Sequence, residues 1–269
     1  MASPLTIDGR TVDYQETGDG PAILFVPGSY STPAAWLGVQ RELSSGYRFV
    51  STSLCGYGAT NETRNLGDLD IEHEVRVVAA VAEQVGAPVH LVGHSFGATV
   101  ALAAALANEF EVLSITTFEA NPIALVRERG QMDLYESVTQ MNSAFEAAYN
   151  AGERDAAGRI IDFWGHDGAF AAMPEVVQDY CRSTTFANVL DWRTAFGFEA
   201  SMSDYAQLTM PVLLARGGLA NPAMVEITAA LEAALPNVRP EVIDGAGHFL
   251  ISSHAKDCSQ ILSDFLAVV

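Results

Sequence analysis

Apolar residues in this chain fall into short continuous runs, separated by stretches with a helical period. The run AILFVPG (22–28) shows no alternation and ends in Pro-Gly, as a strand buried on both faces would. YRFVSTSL (47–54), VHLVGH (89–94), VLSITTFEA (112–120), PVLLARGG (211–218) and RPEVIDGAG (239–247) read the same way. At 32–43 the pattern predicts a helix with Thr32 as N-cap and Pro33 at its first position. Over 68–86 it predicts an amphipathic helix, with Ile71, Val75, Val78, Ala82 and Val85 on one face and Gly86 as its stop. Further helices are expected at 96–108, 222–235 and 254–267. LTIDG and RTVDYQETG, near the start, read as a hairpin turned at Asp8-Gly9.

Alternating strands and helices predict an α/β fold: a mostly parallel, doubly wound sheet of about eight strands with helices on both faces. The stretch 121–207 breaks the rhythm. It is helical in pattern and contains no convincing strand. The expected organisation is a body formed by 1–120 and 208–269, with 121–207 as a helical cap over the C-terminal edge of the sheet.

Composition narrows the possibilities. The chain has 269 residues, and 49% are hydrophobic, so it can fill a large core and is not a disordered chain. A net charge of −19 argues against nucleic acid or an anionic membrane as partner, since both require basic patches. The longest apolar stretch, 89–106, is interrupted by GHSFG and does not read as a membrane span. MASPLTIDGR does not read as a signal peptide. Cys55, Cys181 and Cys258 are odd in number and far apart, which fits packed, reduced thiols and a cytoplasmic protein. GYGAT (56–60) lacks the spacing of a dinucleotide fingerprint, and no phosphate loop or metal-ligand cluster is apparent. The expectation is a small-molecule partner with no cofactor and no metal. Oligomeric state is not legible.

Gly93-His94-Ser95-Phe96-Gly97 stands between an apolar strand and a small-residue helix. A strand that reverses into a helix within so few residues forces a strained backbone at the serine, and side chains at 93 and 97 would collide with neighbouring elements. The turn lifts the Ser95 hydroxyl above the sheet and aims a helix N-terminus at it, where free N–H groups favour a developing anion. A serine nucleophile needs a base. Of six histidines, His90 and His94 are expected to be packed, His73 lies on a polar helix side, His166 sits in the helical stretch and His254 opens the last helix. His248 follows a strand in GAGHFL, after Gly245 and Gly247, in a loop able to reach Ser95.

With PGS (27–29), GYG (56–58), GHSFG (93–97) and GAGHFL (245–250), the chain resembles cap-bearing enzymes of the α/β-hydrolase fold over nearly its whole length. The resemblance implies an oxyanion hole formed by the backbone N–H of Phe96 and a donor in the loop after 22–28. That position falls on Ser29, whose hydroxyl is a further candidate donor, as is the phenol of neighbouring Tyr30. It also implies a carboxylate to hold His248, usually placed after the strand at 211–218. Residues 214–224 contain neither Asp nor Glu, and Glu226 lies a turn too late. Glu119, at the end of the strand that follows the nucleophile helix, is one candidate, because some relatives, certain haloalkane dehalogenases among them, carry the acid there. Asn221 is a second, holding the ring without charge, and Asp204 or Asp244 a third.

Haloalkane dehalogenases and related epoxide hydrolases use a carboxylate nucleophile, whereas a serine with an oxyanion hole suits attack on a carbonyl carbon. The reading is therefore a serine hydrolase of the carboxylic-ester type, acting on a small to medium, partly apolar ester, lactone or related substrate. C–C bond cleavage is an alternative on the same site, and a non-catalytic ligand-binding protein is an alternative of another class. FWGHDGAF (163–170) offers Phe163, Trp164 and His166 as candidate substrate contacts.

Overall fold

Strand 22–26 shows how the sheet is buried. All five residues are buried, yet they divide by parity: Ala22, Leu24 and Val26 join one hydrophobic cluster, while Ile23 and Phe25 join another on the opposite face. A strand of this kind needs helices on both sides, and the chain supplies them. The computed structural model describes residues 5–7, 9–43 and 46–269. Its strands are β1 (Leu5–Ile7), β2 (Arg10–Val12), β3 (Gln15–Thr17), β4 (Ala22–Val26), β5 (Arg48–Ser51), β6 (Val89–His94), β7 (Val112–Phe118), β8 (Val212–Gly217) and β9 (Val238–Ile243). Its helices are α1 (Leu37–Glu42), α2 (Glu72–Val85), α3 (Phe96–Ala107), α4 (Ala124–Glu128), α5 (Met132–Asn150), α6 (Ala157–Trp164), α7 (Glu175–Ser183), α8 (Thr185–Gly197), α9 (Met202–Tyr205), α10 (Pro222–Ala234), α11 (Leu250–Ser253) and α12 (Ala255–Leu266).

Seven strands form one sheet in the order β3-β5-β4-β6-β7-β8-β9. Every pairing is parallel except that of the edge strand β3 with β5. β1 and β2 pair antiparallel as a separate ribbon, so the stretch read as one second hairpin strand divides into β2 and β3. Of the expected hairpin turn, Gly9 has φ 77, and Asp8 lies outside the described residues. The helix expected at 32–43 begins as a 3-10 turn over Pro33–Trp36. Thr32 caps it without a side-chain bond; its backbone carbonyl instead accepts the Ala35 N–H at 3.0 Å.

α1, α11 and α12 cover one face of the sheet, where Trp36, Val39, Leu250 and Leu262 pack on Phe25, Val92 and Phe118. α2 and α3 cover the other, where Val75, Val78 and Val100 pack on Leu24 and Leu91. α10 joins α3 and the helical stretch in a third cluster, in which Leu102, Ile227, Phe145, Trp164 and Trp192 meet. Between β7 and β8 the chain forms only helices, α4 to α9. Among the described residues no helix is long and apolar enough to cross a membrane. The three cysteines are free and buried.

Candidate active site

The C-terminal ends of β6, β7 and β8 bring three loops together. Ser95 follows β6 with φ 53 and ψ −128, a conformation an L-residue adopts only under constraint. The constraint is visible. A Cβ at Gly97 would overlap the carbonyl oxygens of Val26 and Pro27, and one at Gly93 would overlap the backbone of Ala98. Only glycine lets α3 sit this close to the end of β4, and the Ser95 N–H is tied to the Phe118 carbonyl of β7 at 2.9 Å. Among the described residues, four other than glycine have positive φ: Tyr30, Ser95, Asn108 and Glu119. Asn108 merely ends α3; the other three stand at or beside this junction.

Ser95 Oγ lies 3.0 Å from His248 Nε2, and His248 Nδ1 lies 2.7 Å from Glu119 Oε2. Glu119 Oε1 accepts the Gly217 N–H at 2.8 Å. An ionised carboxylate only accepts, so the ring proton resides on Nδ1, and Nε2 keeps a lone pair for the serine hydroxyl. Burial alone would raise the Glu119 pKa. The hydrogen bond and charge of His248, with the Gly217 N–H, outweigh burial and hold it below the ordinary value. Burial, reinforced by His248, pushes His94 down to about 3, so His94 is neutral and its Nε2–H donates to the His248 carbonyl at 2.8 Å. The remaining expected histidines have other partners. His90 meets Ser114, His73 lies between Thr63 and Asp68, and His254 meets Ser253 at 2.9 Å.

Asn221 does not reach the imidazole. Its Oδ1 accepts the Ala223 N–H at 2.9 Å, capping α10, and its Nδ2 donates to the Phe163 carbonyl at 3.0 Å. Asp204 closes a capping box with Ser201, and Asp244 is exposed. Neither is placed against His248.

Ser29, Ser95 and Phe96 line one small cavity of about 30 Å³, together with Asn121, Ile160, Asn188, Asp191, Trp192 and Ala195. Phe96 is the first residue of α3, where an N–H has no carbonyl a turn back to pair with. The Ser29 hydroxyl is directed elsewhere than the sequence suggested: it donates to Asp191 Oδ2 at 2.5 Å, which leaves the backbone N–H as the group Ser29 offers. Tyr30 packs edge-on against Tyr57 at 6.2 Å with its phenol oxygen buried, and it is not among the cavity's walls. FWGHDGAF divides. Trp164 stands 5.9 Å from the His248 ring and stacks on Trp192 at 5.7 Å, and Phe163 packs edge-on against Trp164. His166 is exposed and faces the Asp167 carbonyl, because its turn points away from the packed face of α6.

Asp191, on α8, was not anticipated from the sequence. Ser29 Oγ, Tyr57 OH at 2.7 Å, Arg64 at 2.8 Å and Asn188 Nδ2 at 3.4 Å all donate to it. Arg64 is fully buried and also meets Glu62 at 2.8 Å and Glu74 at 3.0 Å. Burial raises the Asp191 pKa despite Arg64, and raises Glu74 to about 7, since one guanidinium is shared among three carboxylates. The signal in the sequence was a single acid inside the apolar helix at 185–198, with an arginine following GYG. A larger groove of about 570 Å³, bordered by Arg10, His73, Arg76 and Phe110, contains none of Ser95, Glu119 or His248.

A model of the alpha/beta hydrolase family matches residues 23–261. The chain belongs to that family. Among relatives of this hydrolase, a fluoroacetate dehalogenase from Burkholderia sp. is 24% identical over 280 residues, covering 96% of this chain and 90% of its own. A pimeloyl-[acyl-carrier protein] methyl ester esterase from Aliivibrio salmonicida is 25% identical over 260 residues, covering 94% and 95%. The crystal structure of an epoxide hydrolase from Vigna radiata superposes with a TM-score of 0.77 at 20% identity, covering 99% of this chain and 97% of the other. That likeness establishes the shared fold.

Proposed function

We propose that this alpha/beta hydrolase cleaves a carboxylic ester or a related carbonyl compound through an acyl-enzyme on Ser95. The observation that carries the reading is the run of contacts from Ser95 Oγ through His248 to Glu119, at 3.0 and 2.7 Å. His248 Nε2 takes the hydroxyl proton as Oγ attacks the carbonyl carbon. The N–H groups of Ser29 and Phe96 hold the oxyanion, and Glu119 balances the imidazolium. Collapse of the intermediate breaks the carbon–oxygen bond, and His248 gives its proton to the departing alcohol. Water, deprotonated by His248, then attacks the acyl carbon and releases the acid and Ser95.

The similar proteins named as a dehalogenase and as an epoxide hydrolase share the fold. A serine at the elbow, where those chemistries use a carboxylate, favours the activity named for the esterase. In this reading residues 121–207 act as the cap, with Trp164 and Trp192 forming an apolar wall beside His248. A cavity of about 30 Å³ fits a small acyl group, and a larger alcohol portion enters only if the cap shifts. Hydrolysis of short-chain p-nitrophenyl esters tests the proposal. Ser95→Ala is expected to lower kcat/KM at least about a thousandfold, and an organophosphonate is expected to label Ser95. Failure to turn over any ester, with Ser95 unlabelled, overturns it.

A further inference from the structure

The cavity beside Ser95 is polar in a way that attack on a carbonyl does not require. Asn188 is fully buried on α8, one turn before Asp191, and both residues line the cavity. Their contact fixes the amide. Asp191 only accepts, so Asn188 must turn its Nδ2 toward it, at 3.4 Å, and its Oδ1 the other way. That oxygen has no hydrogen-bond partner among the described residues. A buried amide oxygen left unpaired costs free energy, and such groups in folded proteins find a partner in water or ligand. Asp191 cannot change roles to relieve it, because Ser29, Tyr57 and Arg64 already hold it as an acceptor.

We infer that Asn188 Oδ1 is a specificity determinant that accepts a hydrogen bond from a hydroxyl on the acyl portion of the substrate, close to the carbonyl that Ser95 attacks. The inference rests on the serine-hydrolase reading above. Size and charge narrow the class further. A cavity of about 30 Å³ favours a short acyl unit such as glycolyl or lactyl. An anionic acyl group would meet Asp191. An ammonium also donates, but it would have to give up its hydration to enter a cavity this small, whereas a hydroxyl donates at a far smaller cost. A neutral 2-hydroxyacyl ester therefore fits these walls best.

The test compares methyl glycolate with methyl acetate, and methyl lactate with methyl propionate, with kcat/KM divided by the rate of hydroxide-catalysed hydrolysis of each ester. Methyl methoxyacetate, which has a similar inductive pull and no donor, and glycine methyl ester complete the series. The wild-type enzyme is expected to prefer each hydroxy ester at least about tenfold over its partner, and over the methoxy and amino esters. Asn188→Ala is expected to bring the glycolate-to-acetate ratio close to one. Equal normalised rates in the wild type, or a ratio unchanged in Asn188→Ala, overturn the inference while ester turnover and Ser95 labelling leave the serine reading standing. Absence of turnover and of labelling overturns both.

Discussion

Two buried carboxylates serve the same junction with opposite electrostatics. Glu119 is 1% exposed and Asp191 2%, so burial alone would treat them alike. Glu119 stands at the end of a central strand beside a histidine and a backbone N–H, and its pKa falls below the ordinary value. Asp191 stands on α8, among the helices between β7 and β8, beside an arginine shared with Glu62 and Glu74, and its pKa rises. At equal depth the outcome turns on whether the partners outweigh burial: His248 and Gly217 do so for Glu119, and an arginine shared among three acids does not for Asp191. A histidine partner can accept and return a proton, which suits catalysis. A permanent guanidinium cannot, so the second cluster holds position: through Asp191 it fixes the Ser29 loop of the body to α8.

The largest expected effect falls on the first cluster. Glu119→Gln keeps the shape of the side chain and removes its charge, and the amide can stabilise the wrong histidine tautomer. A loss of about 10³–10⁴-fold in kcat is expected, with KM little changed and the fold retained. Steady-state kinetics on a short-chain ester, with circular dichroism as the folding control, measures it. A kcat within a few-fold of wild type would remove Glu119 from the mechanism and leave it a structural acid like Asp191.

The second cluster should report in stability, with a definite sign. Glu74 rises from 4.5 to about 7 because burial outweighs its share of Arg64. Between those values the folded state holds a proton that the unfolded chain has lost, so this group destabilises the fold as pH rises through that window. Glu74→Gln fixes the side chain neutral and retains an oxygen for the Cys55 N–H, which Glu74 accepts at 3.0 Å. Urea denaturation at pH 5 and pH 8 is expected to show a smaller drop for the variant, by about 2 kcal/mol. Parallel behaviour of variant and wild type would mean that Glu74 stays ionised throughout.

How much was legible in advance follows the same division. Ser95, Phe96 and His248 were readable because each stands in a local pattern: glycines that permit close approach, a strand before and a helix after. Glu119 was readable only as one candidate among several, since its geometry depends on Gly217, ninety-eight residues later. The sheet was readable from its apolar runs and the β1–β2 ribbon as the opening hairpin, whereas the short β3 was not, because a three-residue strand carries almost no period. Asp191 and Asn188, neighbours on α8, were missed because their partners Ser29, Tyr57 and Arg64 lie in distant segments and meet them only in the folded chain. No spacing along the sequence announces a contact between residues 29, 64 and 191.

The smallest effect separates scaffold from chemistry in the loop after β8, where the acid of many relatives would sit. There Asn221 uses both ends of its amide: Oδ1 caps α10 through the Ala223 N–H, and Nδ2 holds the Phe163 carbonyl of α6. Asn221→Ala removes one cap and one tie to α6, for an expected loss of about 1–2 kcal/mol in unfolding free energy. The His248 ring keeps Glu119, so kcat should stay within about twofold of wild type. Set beside Glu119→Gln, the variant gives the opposite profile: stability moves and catalysis does not. If Asn221→Ala instead lowered kcat a hundredfold at unchanged stability, the amide would be acting on the histidine, and the division between an acid on the sheet that holds the histidine and a structural polar group on the loop would fail at this residue.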